Sequence, residues 1–299
     1  MKRVSAALEI ADKLGAGDSL SPPTRQESRR RVVIGDPQAS LDTFFQILAA
    51  HDLLSDEGWL RPEVELTSVG DHFDWGKPEQ RNKATAEGTA LLRWLAAHAP
   101  AQVQLIAGNH DLGRVGELAQ FSESEFDQAH REALLAYRSG DTDTVLEAEL
   151  LRQYPELPSA EIAARDFAAF STMQRDLVRD LLLGGRFRLA SAVSSTALVC
   201  HAGITLDELQ AIDYGGEAGD AIAIAAAING RFDQAIESWQ GEGRLIVDSL
   251  HTPGDSRFGE GGGMLYHRPA NPQHTGEEET YRGPARRRYD PRRLPKGYH

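Results

Sequence analysis

Three short polar segments, each directly after an apolar run, constrain the fold of this chain more than any other feature. They are Gly35-Asp36-Pro37-Gln38, Gly70-Asp71-His72-Phe73-Asp74-Trp75-Gly76 and Gly108-Asn109-His110-Asp111. The apolar runs have the length of buried strands, and Gly beside Asp or Asn favours a turn where each strand ends. Because the carboxyl ends of parallel strands meet at one edge of an open α/β sheet, we expect the three segments to lie together there.

The intervals between the segments each fit one helix and one strand. Asp71 follows Asp36 by 35 residues, and Asn109 follows Asp71 by 38. The apolar pattern predicts strands at 31–35, 64–69 and 102–107, and helices near 41–54 and 79–98. This β-α-β-α-β order predicts an α/β fold with right-handed crossovers and neighbouring parallel strands.

The remainder of the chain is mostly helical in pattern. We interpret residues from about 115 to 183 as a helical insertion. Two strands at 186–193 and 196–200 are predicted to form a hairpin that leads into His201. A final long helix is expected over 221–239, although its first residues alone are ambiguous by period.

The motifs extend over most of the chain and therefore predict one α/β domain, at residues 31–280. Residues 1–30 are interpreted as an N-terminal arm or linker, with a short helix over 1–14 followed by a segment rich in Gly, Ser, Pro and Arg. Residues 281–299 are a basic tail rich in Pro and Arg, which we interpret as a solvated segment.

Charge and composition narrow the classes of partner. The net charge is −13, so the body of the chain does not favour nucleic acid, and a bound cation would be needed to attract an anionic substrate. The single cysteine, Cys200, excludes an internal disulfide and a thiolate metal site. No apolar run reaches about 18 residues, so we expect a cytoplasmic protein without a membrane partner. The oligomeric state is not indicated.

Carboxylate, amide and imidazole groups at one sheet edge would form a mixed oxygen and nitrogen site for Mn²⁺, Fe or Zn²⁺. Together with Val199-Cys200-His201-Ala202-Gly203, the segments resemble the calcineurin-like metallophosphoesterases, nearest to the branch of Ser/Thr protein phosphatases and symmetrical diadenosine tetraphosphatases. Four of the five sequence blocks of that family occur here in order, over roughly residues 31–205. The resemblance implies a four-layer α/β/β/α sandwich that hydrolyses a phosphomonoester or phosphoanhydride.

The resemblance also implies two divalent metal ions, for which Mn²⁺ is the first choice and Fe, Zn²⁺ and Mg²⁺ are alternatives. Asp36 and Gln38 would bind the first metal, and Asp71 would bridge both. Asn109 and His201 would bind the second. A hydroxide between the metals would then attack the phosphorus of a phosphorylated substrate in line.

Four further residues receive roles by the same resemblance. His110 would donate a proton to the leaving group, and Asp74 would orient its imidazole. Arg114 and His72 are expected to line the substrate pocket. Asp111 is expected to have a local structural role.

Three departures from the family pattern leave alternatives open. Gln38 replaces a histidine ligand, which favours harder cations, and Trp75 replaces a phosphate-binding arginine. The final Gly-His block is missing, as expected if the chain is truncated before the last metal motif. The alternatives are a degenerate relative that binds metal or phosphate without turnover, and a helical interaction module on an inactive scaffold.

Overall fold

The computed structural model describes residues 2–27, 30–138, 140–217, 219–257, 259, 261–269 and 288–289. Its helices are α1 (Lys2–Gly15), α2 (Leu41–Ala50), α3 (Arg81–Ala97), α4 (Asn109–Gly113), α5 (Glu123–Ala136), α6 (Thr144–Gln153), α7 (Ala160–Arg165), α8 (Thr172–Leu183), α9 (Leu206–Ala211) and α10 (Ala221–Trp239). Its strands are β1 (Arg30–Gly35), β2 (Val64–Val69), β3 (Val103–Ile106), β4 (Tyr137–Arg138), β5 (Asp141–Thr142), β6 (Phe187–Arg188), β7 (Ala190–Ala192), β8 (Leu198–Cys200), β9 (His251–Thr252), β10 (Gly262–Gly263), β11 (Arg268–Pro269) and β12 (Arg288–Tyr289). Apart from β12, the predicted tail at 281–299 lies outside the described residues.

The central sheet has four parallel strands in the order β1-β2-β3-β6. Val33 pairs with Thr67, and Leu66 pairs with Val103. The predicted β-α-β-α-β series is therefore confirmed, and its strands neighbour one another in chain order. The three polar segments consequently emerge at one edge of the sheet.

The two faces of the sheet differ in how fully they are covered. Leu66 and Leu105 are buried in the main core, which α2 and α3 complete with Phe44, Phe45 and Trp94. Successive side chains of β1, β2 and β3 point to alternate faces of the sheet. Val33, Thr67 and Gln104 therefore lie on the face opposite to Leu66 and Leu105. These three residues line a groove of about 260 Å³, where Val33 remains 44% exposed.

The four-layer sandwich implied by the resemblance is only partly present. The predicted hairpin forms in part: β7 and β8 pair antiparallel and β8 leads into His201, but the start of the predicted strand at 186–193 is β6 of the central sheet. Outside the four-stranded sheet, however, the strands of the described ranges form pairs only. The described residues therefore do not form a second sheet broad enough to cover the Val33 face. The fold is α/β, with a parallel sheet flanked by helices.

Helix α1 belongs to the main core, although the sequence assigns residues 1–30 to an arm or linker. Val4, Ala7, Ala11 and Leu14 are buried in the same cluster as the sheet residues. Their spacing of three or four residues places them on one helix face, which packs against α2 and α3.

The helical insertion has a core of its own. Phe121, Phe126, Leu157 and Phe170 belong to a second apolar cluster formed by α5, α6, α7 and their connections. Helix α8 differs, because its residues Val178 and Leu182 are buried in the main core. The predicted insertion at 115–183 is therefore mostly helical as expected, but its last helix is part of the main body.

Helix α10 settles the run that was ambiguous by period. Asp220 caps it by accepting hydrogen bonds from the backbone N–H groups of Ile222 and Ala223. Ile224, Ile228 and other apolar residues on one face are buried. Within the described ranges, none of the helices has both the length and the apolar composition required to cross a bilayer.

We expect acid to destabilise this core through His98. Its Nδ1–H donates to the Trp94 carbonyl (2.9 Å), and its Nε2 accepts from the Leu60 N–H (3.3 Å), an arrangement that needs the neutral ring. Burial lowers the pKa of His98 to about 4. Since the unfolded chain binds this proton near pH 6.5, the stabilisation is complete above that pH and is lost as the pH falls toward 4.

Urea unfolding at pH 7.5 and pH 5.0 measures this effect. His98 should account for about 2 kcal/mol of the loss at pH 5.0. His98→Gln should remove that part, whereas His51→Gln at the exposed end of α2 should leave the wild-type loss unchanged. An identical pH dependence in His98→Gln and wild type would contradict the assignment.

Candidate metal centre

Side chains from four separate segments converge at the carboxyl edge of the sheet. Ligand atoms of Asp36, Asp71 and His201 all lie within 4.8 Å of one another. His201 Nδ1 is 3.4 Å from Asp36 Oδ1, and His201 Nε2 is 3.4 Å from Asp71 Oδ2. His201 Nε2 is also 3.1 Å from Asn109 Oδ1. Four of the five predicted metal ligands are therefore neighbours in space.

Gln38, the fifth predicted ligand, lies in the same turn as Asp36. The turn is tight, because the Ala39 N–H donates to the Pro37 carbonyl at 2.6 Å. The Asp36 side chain is 57% exposed and Gln38 is half-buried. This segment therefore forms the open side of the cluster, whereas Asp71 and Asn109, at 4% and 7% exposure, form its floor.

The loop that carries Asp71 has an unusual backbone. Asp71 and Asp74 have φ values of 52° and 61°, in the left-handed region that L-residues other than Asn and Asp rarely adopt. The flanking Gly70 also has a positive φ, of 77°. Such conformations cluster at functional sites, where surrounding contacts hold them in place.

Close packing makes glycine necessary at the neighbouring turn. A Cβ atom on Gly108 would lie 2.1 Å from Asp71 Oδ1, and a Cβ on Gly70 would lie 2.8 Å from His201 Nδ1. The two glycines thus let the backbone approach the ligand side chains closely. This is the physical reason for the Gly-Asp and Gly-Asn pairs in the sequence.

Asp111 fixes these two loops against each other. Its carboxylate accepts hydrogen bonds from the backbone N–H groups of Gly108 (3.0 Å), Asp71 (3.0 Å) and His72 (3.1 Å). The side chain is fully buried. These contacts are structural, as was expected for Asp111.

His72 does not line the pocket, contrary to the expectation from the sequence. It is 0% exposed, its Nδ1–H donates to Asp111 (3.0 Å), and its Nε2 accepts from the Ser68 hydroxyl (3.0 Å). The left-handed backbone at Asp71 turns the following side chain inward, where it packs against Phe187.

A backbone hydrogen bond fixes the orientation of the His201 ring. Its Nδ1–H donates to the Val69 carbonyl at 2.9 Å, which leaves Nε2 directed at Asp71 and Asn109. Metal-binding histidines commonly have such a backbone partner on the second nitrogen, because it fixes the tautomer and the ring plane. His201 therefore has a fixed ring plane, with Nε2 facing the carboxylate of Asp71.

The charges in the cluster are strongly coupled. Burial alone would raise the pKa of Asp71, but the charge of His110 and the hydrogen bond with His201 lower it to about 2. Burial lowers the pKa of His201, but the hydrogen bond and charge of Asp71 raise it to about 9. Because a cation would take the place of the His201 proton, metal and proton compete for this site.

His110 lies beside the cluster without joining it. Its Nε2 is 3.9 Å from Asp71 Oδ2, and its Nδ1–H donates to Asp74 Oδ2 at 3.0 Å. Burial lowers the pKa of His110, but the charge of Asp71 and the hydrogen bond to Asp74 raise it to about 9. The predicted pair of His110 and Asp74 is therefore in hydrogen-bonding contact, with one ring nitrogen facing the ligands.

The prediction for Arg114 is also wrong. It was expected in the substrate pocket but is 0% exposed, and its Nη2–H groups donate to Asp74 Oδ2 (2.7 Å) and the Ala169 carbonyl (3.1 Å). The reason is its position just after the short helix α4, which directs the side chain beneath the site. Burial raises the pKa of Asp74, but Arg114 and His110 together lower it.

The helical insertion contributes to the site, which the sequence did not predict. The Phe167 ring contacts the His110 ring edge-on, with centroids 5.9 Å apart. The Ala169 N–H donates to Asp74 Oδ1 at 3.4 Å. No motif marks this segment, and its only signal is two phenylalanines in Phe167-Ala168-Ala169-Phe170 at the end of a helical stretch.

Four histidines follow His201 and are the available replacements for the missing fifth block, at positions 251, 267, 274 and 299. The two that the structure describes have other contacts. His251 is buried and its ring is parallel to that of Tyr266, with centroids 5.8 Å apart. His267 Nε2 is 2.6 Å from Glu208 Oε1. His274 and His299 lie outside the described residues.

The donor set fits a divalent cation. Two carboxylates, an amide oxygen and an imidazole nitrogen with a backbone partner suit Mn²⁺, Zn²⁺ or Fe, and an oxygen-rich set suits Mg²⁺. No protein-family model matches this chain, and no curated protein is significantly similar to it. The site is therefore interpreted from its own geometry and from the motif resemblance.

Proposed function

We propose that this chain is a metal-dependent phosphoesterase that hydrolyses a phosphomonoester or phosphoanhydride. One observation carries the proposal: the ligand atoms of Asp36, Asp71 and His201 meet within 4.8 Å although 165 residues separate the first from the last. The cluster differs from a group of surface carboxylates, because Asp71 is buried and the His201 ring is oriented by its hydrogen bond to the Val69 carbonyl.

The proposed cofactors are two divalent metal ions, most simply Mn²⁺. Asp36 and Gln38 would hold one ion, Asn109 and His201 the other, and Asp71 has the two oxygens needed to contact both. When bound, such ions act as Lewis acids that lower the pKa of water and polarise the phosphoryl group. They would also offset the negative charge of the body, which otherwise repels an anionic substrate.

The protein side chains supply the proton for the leaving group. In hydrolysis, water oxygen bonds to phosphorus, the ester P–O bond breaks, and the departing oxygen takes a proton from His110 Nε2. Asp74 accepts the Nδ1–H of His110 (3.0 Å), which keeps the other nitrogen toward Asp71 and the substrate. Water returns a proton to the imidazole, so one water is consumed in each turnover.

The finer fold and setting belong to the same proposal. The β7–β8 hairpin would be part of the second sheet of a four-layer sandwich, on the Val33 side of the central sheet. The partner would be a phosphorylated substrate, encountered in the cytoplasm.

Hydrolysis of 4-nitrophenyl phosphate by the purified chain tests the function. With Mn²⁺ we expect turnover that EDTA abolishes and that added Mn²⁺ restores. Mn²⁺ binding should be measured on the same sample by calorimetry. Absence of both turnover and binding would contradict the proposal.

Two other results would favour the alternatives. Tight Mn²⁺ binding without turnover of any phosphoester would identify a degenerate, non-catalytic relative. Exposed apolar residues on the insertion, such as Leu135 (52%) and Val145 (76%), favour the second alternative, a helical interaction module. In that case Mn²⁺ would not bind, and deleting the insertion would abolish association with a partner.

A further inference from the structure

Arg114 is a buried guanidinium that shares a carboxylate oxygen, Asp74 Oδ2, with the proposed proton donor His110. It is 0% exposed and lies over two aromatic rings, at 5.0 Å from the Phe73 centroid and 5.8 Å from the Phe167 centroid. A guanidinium held between rings in this way has a fixed plane and fixed donor directions. It cannot contact a substrate at the surface.

Asp74 connects Arg114 to His110. One carboxylate oxygen, Oδ2, accepts from both Arg114 Nη2 (2.7 Å) and His110 Nδ1 (3.0 Å). The other oxygen, Oδ1, accepts from the Ala169 N–H (3.4 Å). Among the described residues, the hydrogen bonds that orient this buried carboxylate thus come from His110, from Arg114 and from the insertion.

The insertion segment is held by the same guanidinium. Arg114 Nη2 donates to the Ala169 carbonyl at 3.1 Å, and the Phe167 ring packs against both Arg114 and His110. Removing Arg114 would thus release Asp74 and the insertion segment together. A displacement of about 1 Å in a catalytic group is enough to cost a large factor in rate.

We propose that Arg114 is a positioning residue, which orients His110 through Asp74 and joins the Phe167–Ala169 segment to the site. This inference rests on the proposed function for its kinetic consequence but not for its geometric one. Arg114 would thus act on His110 through Asp74, and not by contacting phosphate as expected from the sequence.

The kinetic test compares two leaving groups. Phenolate is a poor leaving group that needs a donated proton, whereas 4-nitrophenolate departs without one. With Mn²⁺, Arg114→Met should lower kcat for phenyl phosphate about 10- to 100-fold more than kcat for 4-nitrophenyl phosphate, with KM changed little. Arg114→Lys, which keeps the charge, should recover part of the loss.

The outcomes separate the possible roles of Arg114. Equal losses of kcat on both substrates, with a lowered melting temperature, would indicate a structural role only and would overturn the inference. A rise in KM on both substrates without a change in kcat would indicate phosphate binding and would also overturn it.

A second measurement does not require turnover, so it separates failure of this inference from failure of the proposed function. In wild type, the Nδ1–H of His110 should give a protected, downfield proton resonance, assigned by its loss in His110→Gln. Loss or strong broadening of that signal in Arg114→Met supports the inference, and an unchanged signal overturns it. If Arg114→Met does not fold, Arg114→Gln, which also removes the charge, takes its place in both measurements.

Discussion

Asp71→Asn is expected to lower Mn²⁺-dependent phosphoester hydrolysis by at least about 10³-fold, equivalent to roughly 4 kcal/mol of transition-state stabilisation. Asp71 is 4% exposed and supplies oxygens to both halves of the proposed centre. Asn retains the shape but loses the negative charge and one oxygen ligand. Binding of both ions should therefore weaken as well.

The substitution is chosen so that the fold is retained. Asp71 has a φ of 52°, and Asn is among the few residues that accept this conformation readily. Asp213→Asn is the matched control, because Asp213 also has a positive φ (55°) but is exposed at the end of α9. Steady-state kinetics and Mn²⁺ calorimetry should separate the two variants. Equal activity in Asp71→Asn and the control would exclude Asp71 from the mechanism.

His110→Gln is expected to reduce kcat for phenyl phosphate, whose leaving group needs a donated proton, by about 10²- to 10⁴-fold, the usual range for loss of a general acid. In contrast to Asp71→Asn, it should leave Mn²⁺ binding nearly intact, because His110 Nε2 lies 3.9 Å from Asp71 and is not among the ligands. The comparison of the two variants thus distinguishes metal binding from proton donation.

Calorimetric Mn²⁺ titration and kinetics on the same preparations provide the measurement. His51→Gln, at the exposed end of α2, is the control for replacing an imidazole by an amide. If His110→Gln abolished Mn²⁺ binding, His110 would be a ligand and the proposed division of roles would be wrong. Full activity of His110→Gln on phenyl phosphate would contradict proton donation.

The strands and their order were predictable because local pattern and topology agree. Val64–Val69 is observed with the bounds that its apolar run predicted, and the β-α-β-α-β series leaves parallel neighbours as the simplest arrangement. The position of His201 followed in the same way, since a strand of a predicted hairpin leads directly into it.

Side-chain directions were not predictable from the same pattern. His72 points inward because the preceding Asp71 has a left-handed backbone, and nothing in the residue type of His72 indicates this. Arg114 was expected in the substrate pocket, but it is buried, and Asp74 and two aromatic rings compensate its burial. Contacts between residues distant in sequence, such as Ala169 with Asp74, have no local signal.

The number of strands that cover each face of the central sheet was also not predictable from the sequence. The family resemblance implied a second sheet, yet Val33 on that side of the central sheet remains 44% exposed among the described residues. Hydrophobic runs locate strands but do not say how many strands will cover a face. The helix expected at 1–14 is present, but its place in the main core was not predicted, because the pattern of Val4, Ala7 and Ala11 does not say which surface they pack against.

Diffraction from crystals of the wild-type chain soaked in MnCl₂ tests the central claim most directly. Anomalous difference density should show an ion about 2.0 to 2.6 Å from the Asp71 carboxylate. A second ion about 3.5 to 4 Å away is expected, with Asp36 and His201 among the ligands of the pair. Saturating Mn²⁺ with no anomalous peak within reach of Asp71, or peaks at surface carboxylates alone, would contradict the metal centre and the function built on it.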